Sequence, residues 1–318
     1  LLHRDYDAAT LVLRHPPKLK HAYKRLVYEL CGGAATTGSI AVTRWSTEPL
    51  PSTVRLGAME TVGMRGYYDY AGEQVGVWHV NFADPQLFVA YGSALLAQDE
   101  LQAAEHPALG SIREALLAER AEALTEERGT PTPVLVAGVE RRCTIETAPD
   151  LDAGRPFGLY GNRFSRSPIE TVRGAVRVHQ APTHTNLIAI AAPGGGRGEH
   201  TRAQIEHIAV TAYTGFAAAA SETERLWPGR QTEIRTGFWG CGAFGGNRHL
   251  MTLLQLLAAR LAGVTRLRFY VFDDVGREDF ATGAAALERV LGAPGEPIGA
   301  LLERIADLDY SWGVSDGN

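Results

Sequence analysis

Two short stretches carry residue types from which a ligand site could be built. The first reads Thr236-Gly237-Phe238-Trp239-Gly240-Cys241-Gly242-Ala243-Phe244-Gly245-Gly246-Asn247-Arg248-His249-Leu250. Gly240, Gly242, Gly245 and Gly246 let the backbone turn tightly, so that its N–H groups can point inward at one anion. Asn247 suits the N-cap of a following helix, whose start adds N–H groups and a positive dipole end. A phosphate or diphosphate is the matching ligand class, and Phe244 stands where a ring could pack on a ribose or a base. The competing reading is a glycine-rich turn around a buried Trp and Phe. The second stretch is Gln98-Asp99-Glu100. Alone, it reads as a surface acidic triplet at a helix start, where acids favour the dipole.

The surrounding pattern supplies elements to hold both stretches. Leu19, Tyr23, Leu26, Val27 and Leu30 fall at helical spacing, with Gly32 as C-cap. Residues 35–70 read as short strands and loops. Residues 75–83 are apolar at most positions, which predicts a strand buried on both faces. Helical patterns follow over 93–104 and 111–127, the latter closed by Gly129. Residues 130–140 read as a loop entering a strand. Residues 186–191 form a buried strand that leads into Gly194–Gly198, and a helix is expected over 201–222. The glycine stretch 237–246 opens a very apolar helix over 248–262, followed by a strand at 267–272 and a C-terminal helix over 283–306. Strands alternating with helices predict an α/β fold with a partly parallel sheet. No internal repeat, low-complexity stretch or linker divides the chain.

Composition narrows the classes. The 318 residues are 45% hydrophobic and 21% charged, enough for a packed core. A net charge of −5 argues against a general nucleic-acid binder. Three cysteines, Cys31, Cys143 and Cys241, show neither disulfide nor zinc spacing. The ten histidines show no metal-ligand spacing either. No metal and no cofactor is expected, and a cytoplasmic, reducing compartment fits, with no membrane association. The first residues, Leu1-Leu2, are not a natural initiator, so preceding sequence and any address signal in it are expected to be missing.

The glycine stretch closely resembles the phosphate loop of the poly(ADP-ribose) glycohydrolase branch of the macrodomains. A second signature of that family, roughly Val-Asp-Phe-Ala-Asn, a triple-glycine turn and Gln-Glu-Glu, is similar to Val80-Asn81-Phe82-Ala83-Asp84 followed by Gln98-Asp99-Glu100. The segment 186–216, with Tyr213-Thr214-Gly215-Phe216, also looks like the family. Departures are visible: Asn81 and Asp84 exchange the family's acid and amide, Asp99 replaces the first Glu, and Phe88-Val89-Ala90 stand in place of the glycines.

The resemblance implies a macrodomain-like mixed sheet flanked by helices over 71–318. It implies an accessory helical extension over 1–70, packed on that core. It implies ADP-ribose, or an ADP-ribosylated protein, as ligand. Glu100 would be the acid/base that cleaves the glycosidic bond through an oxocarbenium-like transition state. Asp99 would hold ribose hydroxyls and raise the pKa of its neighbour. Asn81, Asp84 and Gln98 would line the pocket, Gly240–Gly246 (with Cys241, Ala243 and Phe244) would take the diphosphate, and Phe272 would lie near adenine. Gly215 is expected to let its helix approach the one at 248–262, and Arg197 is a possible phosphate partner. Because the triple glycine is absent, single ADP-ribose units on a protein, arginine-linked ones among them, are favoured over polymer trimming. The alternatives are a non-catalytic ADP-ribose reader and a true poly(ADP-ribose) glycohydrolase.

Overall fold

The computed structural model describes residues 2–32 and 36–317. Its first seventy residues contain β1 (Leu2–Asp7), α1 (Ala8–Arg14), α2 (Ala22–Leu30), β2 (Ser39–Arg44) and β3 (Glu60–Arg65). Then come β4 (Val77–Ala83), α3 (Gln98–Glu105), α4 (Ala108–Ala118), the short β5 (Glu126–Glu127) and β6 (Thr130–Pro131), and β7 (Val134–Ile145). The remainder is α5 (Arg163–Arg166), α6 (Ile169–Ala175), β8 (Val176–Ala191), α7 (Arg202–Leu226), β9 (Glu233–Gly237), α8 (Arg248–Leu261), β10 (Arg266–Val271), α9 (Asp274–Val290) and α10 (Ile298–Ala306).

Eight strands form one mixed sheet in the order β1-β2-β7-β8-β4-β9-β10-β3. The half from β8 to β3 is parallel and the half from β1 to β8 is antiparallel. Helices cover both faces. On one face Trp78, Val80, Ile188, Ile190 and Ile234 pack against Ile205, Phe216, Leu253 and Leu257 of α7 and α8. On the other, Ala83, Val136 and Leu187 meet Leu11, Leu109 and Ile112 of α1 and α4. This explains why β4 reads as an apolar run rather than an alternation: it is central and covered twice.

Several boundaries differ from the sequence expectation, each for a tertiary reason. The first seventy residues supply two helices, and also three strands of the main sheet, so sheet pairing runs on both sides of residue 70. The helix expected from 93 starts at Gln98, because Leu96 exchanges two backbone hydrogen bonds with Gly161 and is held extended. The helix expected to reach 127 ends at Ala118. Arg120 turns left-handed there (φ 55°) and the N–H of Ala121 reaches back to Leu116, a helix stop made without glycine. The single helix expected over 283–306 is two helices, broken around Pro294, Gly295 and Pro297. Gly215 faces β8, not α8: a Cβ there would lie 2.9 Å from Ile190 and 3.2 Å from Ile188. Among the described residues no helix is long and apolar enough to cross a membrane, and no three metal-ligating side chains converge.

Candidate active site

The parallel strands all deliver their C-terminal ends to one edge, where open α/β sheets place their ligands. Here β4 ends in Asn81–Ala83, β9 runs into the glycine loop, and β10 ends just before Phe272. A cleft of adjoining cavities of about 450 Å³, 240 Å³ and 110 Å³ lies along this edge, with Phe82 and Gln98 in the walls of all three.

One wall is backbone. Gly240 (φ 77°) and Gly245 (φ 67°) are left-handed. A Cβ on Gly240 would sit 2.7 Å from Ala192 Cβ, and one on Gly246 would sit 2.8 Å from the carbonyl oxygen of Gly240. The N–H groups of Cys241, Gly245 and Gly246 close turns inside the loop. Those of Gly242, Ala243 and Phe244 have no protein acceptor among the described residues. Asn247 caps α8 as the sequence suggests, its Oδ1 accepting from the N–H groups of His249 (3.0 Å) and Leu250 (3.1 Å). The cap therefore occupies two of the helix-start donors. Burial pushes the Cys241 thiol up. Phe244 packs on Gly194, and Gly196 lies against Trp312, whose ring stacks on His200 at 4.0 Å. The 194–198 loop thus packs against the glycine loop, and Arg197 is exposed and lines neither large cavity.

The other wall is side chains. Gln98, Asp99 and Glu100 form the first turn of α3. Gln98 clamps that turn to β4: its Oε1 accepts from Phe82 N–H (2.7 Å) and its Nε2 donates to the Val80 carbonyl (3.1 Å). Its amide is thereby committed to the strand, and its stem lines the cleft. Asn81 Nδ2 donates to Asp99 Oδ1 (3.0 Å) and to Gln102 Oε1 (2.9 Å). Asn81 thus sits behind the acids as their support. Glu100 Oε2 accepts from Ala97 N–H (3.0 Å), half of a capping box. Asp99 and Glu100 both line the cavity. Asp84 turns one oxygen to Gln86 N–H (2.9 Å) and borders the same cavity.

Burial raises the pKa of Asp99, and the charge of Glu100 raises it further. Burial likewise raises that of Glu100, against the pull of Lys24. Both shifts favour the protonated carboxyl, the form a general acid requires. Phe88 adopts a left-handed φ of 51° with its ring fully buried. That conformation, which favours glycine, is held there by ring packing. Val89 and Ala90 line the cavity beside Glu100.

Further groups complete the cleft without a signal in the sequence. Tyr160 borders both larger cavities, brought in by the Leu96–Gly161 pairing. Arg248, paired with Asp279 at 2.9 Å and lying 4.9 Å from the Phe238 ring centre, faces the loop. Asp316, from the segment that crosses the loop, hydrogen-bonds through its N–H to the Gly242 carbonyl (3.4 Å). Phe272, expected near adenine, lies half exposed at an aromatic recess with Tyr67, Phe82, Phe238 and Tyr270.

Residues 170–279, about a third of the chain, match the family model described as poly(ADP-ribose) glycohydrolase, macro domain fold. That stretch holds the whole glycine loop and leaves out Asp99 and Glu100. Among solved structures, poly(ADP-ribose) glycohydrolase from Thermomonospora curvata bound to the inhibitor ADP-HPD aligns at 15% identity and TM-score 0.46, over 88% of this chain and 84% of that one. The Deinococcus radiodurans enzyme in complex with ADP-ribose aligns at 14% identity and TM-score 0.44, over 91% and 95%. A mutant Oceanobacillus iheyensis macrodomain aligns at 12% identity and TM-score 0.42, over 75% and 98%.

Proposed function

We propose that this chain is a glycosidase-type hydrolase that releases ADP-ribose from a modified protein, with single units, arginine-linked ones among them, as the substrate class. One observation carries the reading. A single cavity is lined on one side by Gly242, Ala243 and Phe244, whose N–H groups have no protein acceptor among the described residues, and on the other by the two buried acids Asp99 and Glu100. A diphosphate fits the first wall, and an anomeric carbon with its leaving group fits the second.

In this reading Glu100 protonates the departing group, and its carboxylate then takes a proton from the incoming water. Asp99 holds ribose hydroxyls through Oδ2. The aromatic recess at Phe272 takes the adenine. Val89 and Ala90 fill room that glycines would leave beside the acid, which supports a small protein-linked unit over a continuing polymer.

The test is release of ADP-ribose from arginine-, serine- and glutamate-modified proteins and from poly(ADP-ribose), comparing wild type with Glu100→Gln. Release from one protein linkage, lost in the variant, is the expected result. Tight ADP-ribose binding without release from any substrate would sink the hydrolase reading and leave a reader, in which Glu100 serves only as the cap for Ala97. Release from polymer alone would replace the substrate class.

A further inference from the structure

A cation lies beneath the acid pair. Lys24, on α2, is 2% exposed, and its Nζ donates to the carbonyls of Tyr91 (3.3 Å) and Glu100 (3.4 Å). The stem is packed among Val27, Tyr91, Ala103 and Pro107, with the Phe164 ring 5.7 Å from Nζ. Burying an ammonium in such surroundings is costly unless opposite charge repays it. The other charged groups around it are already engaged. Glu105, further along α3, is paired with Arg141, and Glu114 of α4 is paired with Lys18. On its own helix, Arg25 is tied to the carbonyls of Leu19 and Lys20, and His21 caps α2 through Tyr23 N–H. Asp84 stands on the far side of the carboxyls, bordering the cleft. That leaves Glu100 and Asp99 as the anions whose charges act on Lys24, with its Nζ held at the Glu100 carbonyl rather than in direct contact with either carboxylate.

We infer that Lys24 is the positioning residue of the acid pair: a buried counter-ion that fixes the first turn of α3 and decides how Asp99 and Glu100 share their protons. A buried cluster is cheapest near zero net charge. With Lys24 charged, neutrality is reached with one carboxyl protonated and the other ionised. That is the state the proposed reaction needs, a proton to give and an anion to steady the developing cation. Without Lys24, neutrality is reached with both carboxyls protonated and no anion left. Burial holds the Lys24 amine itself down to about 8, so the cluster rearranges on the alkaline side as well. The catalytic consequence rests on the hydrolase reading, while the proton sharing does not.

The test is a carboxyl-carbon NMR titration of Asp99 and Glu100 in the whole chain, for wild type, Lys24→Met and Lys24→Arg. The expected result is that Lys24→Met moves the titration of the pair upward by about one pH unit or more, and that Lys24→Arg returns most of it. Unmoved carboxyls in a folded Lys24→Met chain would overturn the inference. Should that variant not fold, the lysine resonance decides, titrated in wild type and in Asp99→Asn: a fall of its pKa when that carboxylate is removed supports the pairing, and an unmoved lysine overturns it. In the release assay, the pH profile should move with the carboxyls. A shifted titration in a chain that releases no ADP-ribose would leave Lys24 in place and remove the hydrolase reading.

Discussion

The two walls of the cleft are built by opposite strategies. The glycine loop is local: seven consecutive residues make it, and the groups it leaves open are backbone N–H. The acid wall is assembled from α2, the end of β4, the 88–97 turn and α3, and its groups are side chains whose charges depend on burial. A local backbone site is sensitive to shape and indifferent to pH. A dispersed side-chain site tolerates changes of shape better but responds to every nearby charge.

Substitutions should separate the two. Glu100→Gln keeps an oxygen for the Ala97 N–H, so it should lower turnover about a hundredfold to ten-thousandfold while leaving ADP-ribose binding intact. Single-turnover release beside calorimetric binding reads both, and a parallel loss of binding would place Glu100 in the ligand's ground-state contacts. Gly240→Ala should do the reverse. Its left-handed φ and the 2.7 Å approach to Ala192 predict a stability cost of about 1–3 kcal/mol. Binding should weaken about tenfold or more, seen as a lower urea midpoint and a higher Kd.

Asp99→Asn addresses the electrostatics of the second wall. Asp99 has its folded pKa raised above the ordinary 3.8. Its stabilising contribution is full below that ordinary value and is lost as pH rises through the folded value. The variant does not ionise, so it should gain on wild type as pH rises, with a slope on the order of 1 kcal/mol per pH unit across that interval. Paired melting curves from acid to mildly alkaline pH would show this, and a flat difference would mean that the folded pKa of Asp99 is not raised. The smallest effect belongs to Arg248→Ala. That side chain is 44% exposed and shares Asp279 with His249, so stability should change by less than about 0.5 kcal/mol and binding only a few-fold. A large loss of binding would make Arg248 a direct phosphate ligand.

The same contrast decides what was legible in the sequence. The glycine loop, its Asn247 cap and the double burial of β4 are properties of contiguous residues, and the structure follows them. Gln98, Asp99 and Glu100 could be picked out by order, but their supports could not. Lys24 lies more than seventy positions upstream, and Tyr160 enters through a pairing with Gly161 that no periodicity announces. β9 was hidden because its five residues merge into the glycine stretch. α4 stops early because residues 123–125 are needed as an extended edge bonded to Leu87, Pro85 and Arg44, which outweighs the helix propensity of Glu-Arg-Ala-Glu-Ala.

The position of β3 has a consequence for how the molecule comes into being. Made some two hundred residues before its partner, this strand belongs at the far edge of the sheet, where among the described residues it pairs only with β10, Glu60 opposite Arg266. Until that partner exists, an extended segment with open hydrogen-bonding edges must wait through some two hundred residues. Such long-range closure is slow, and the waiting intermediate is prone to aggregate. Fragments that stop before β10 should therefore need chaperones or fail. The cleft cannot be complete before β10 has been made.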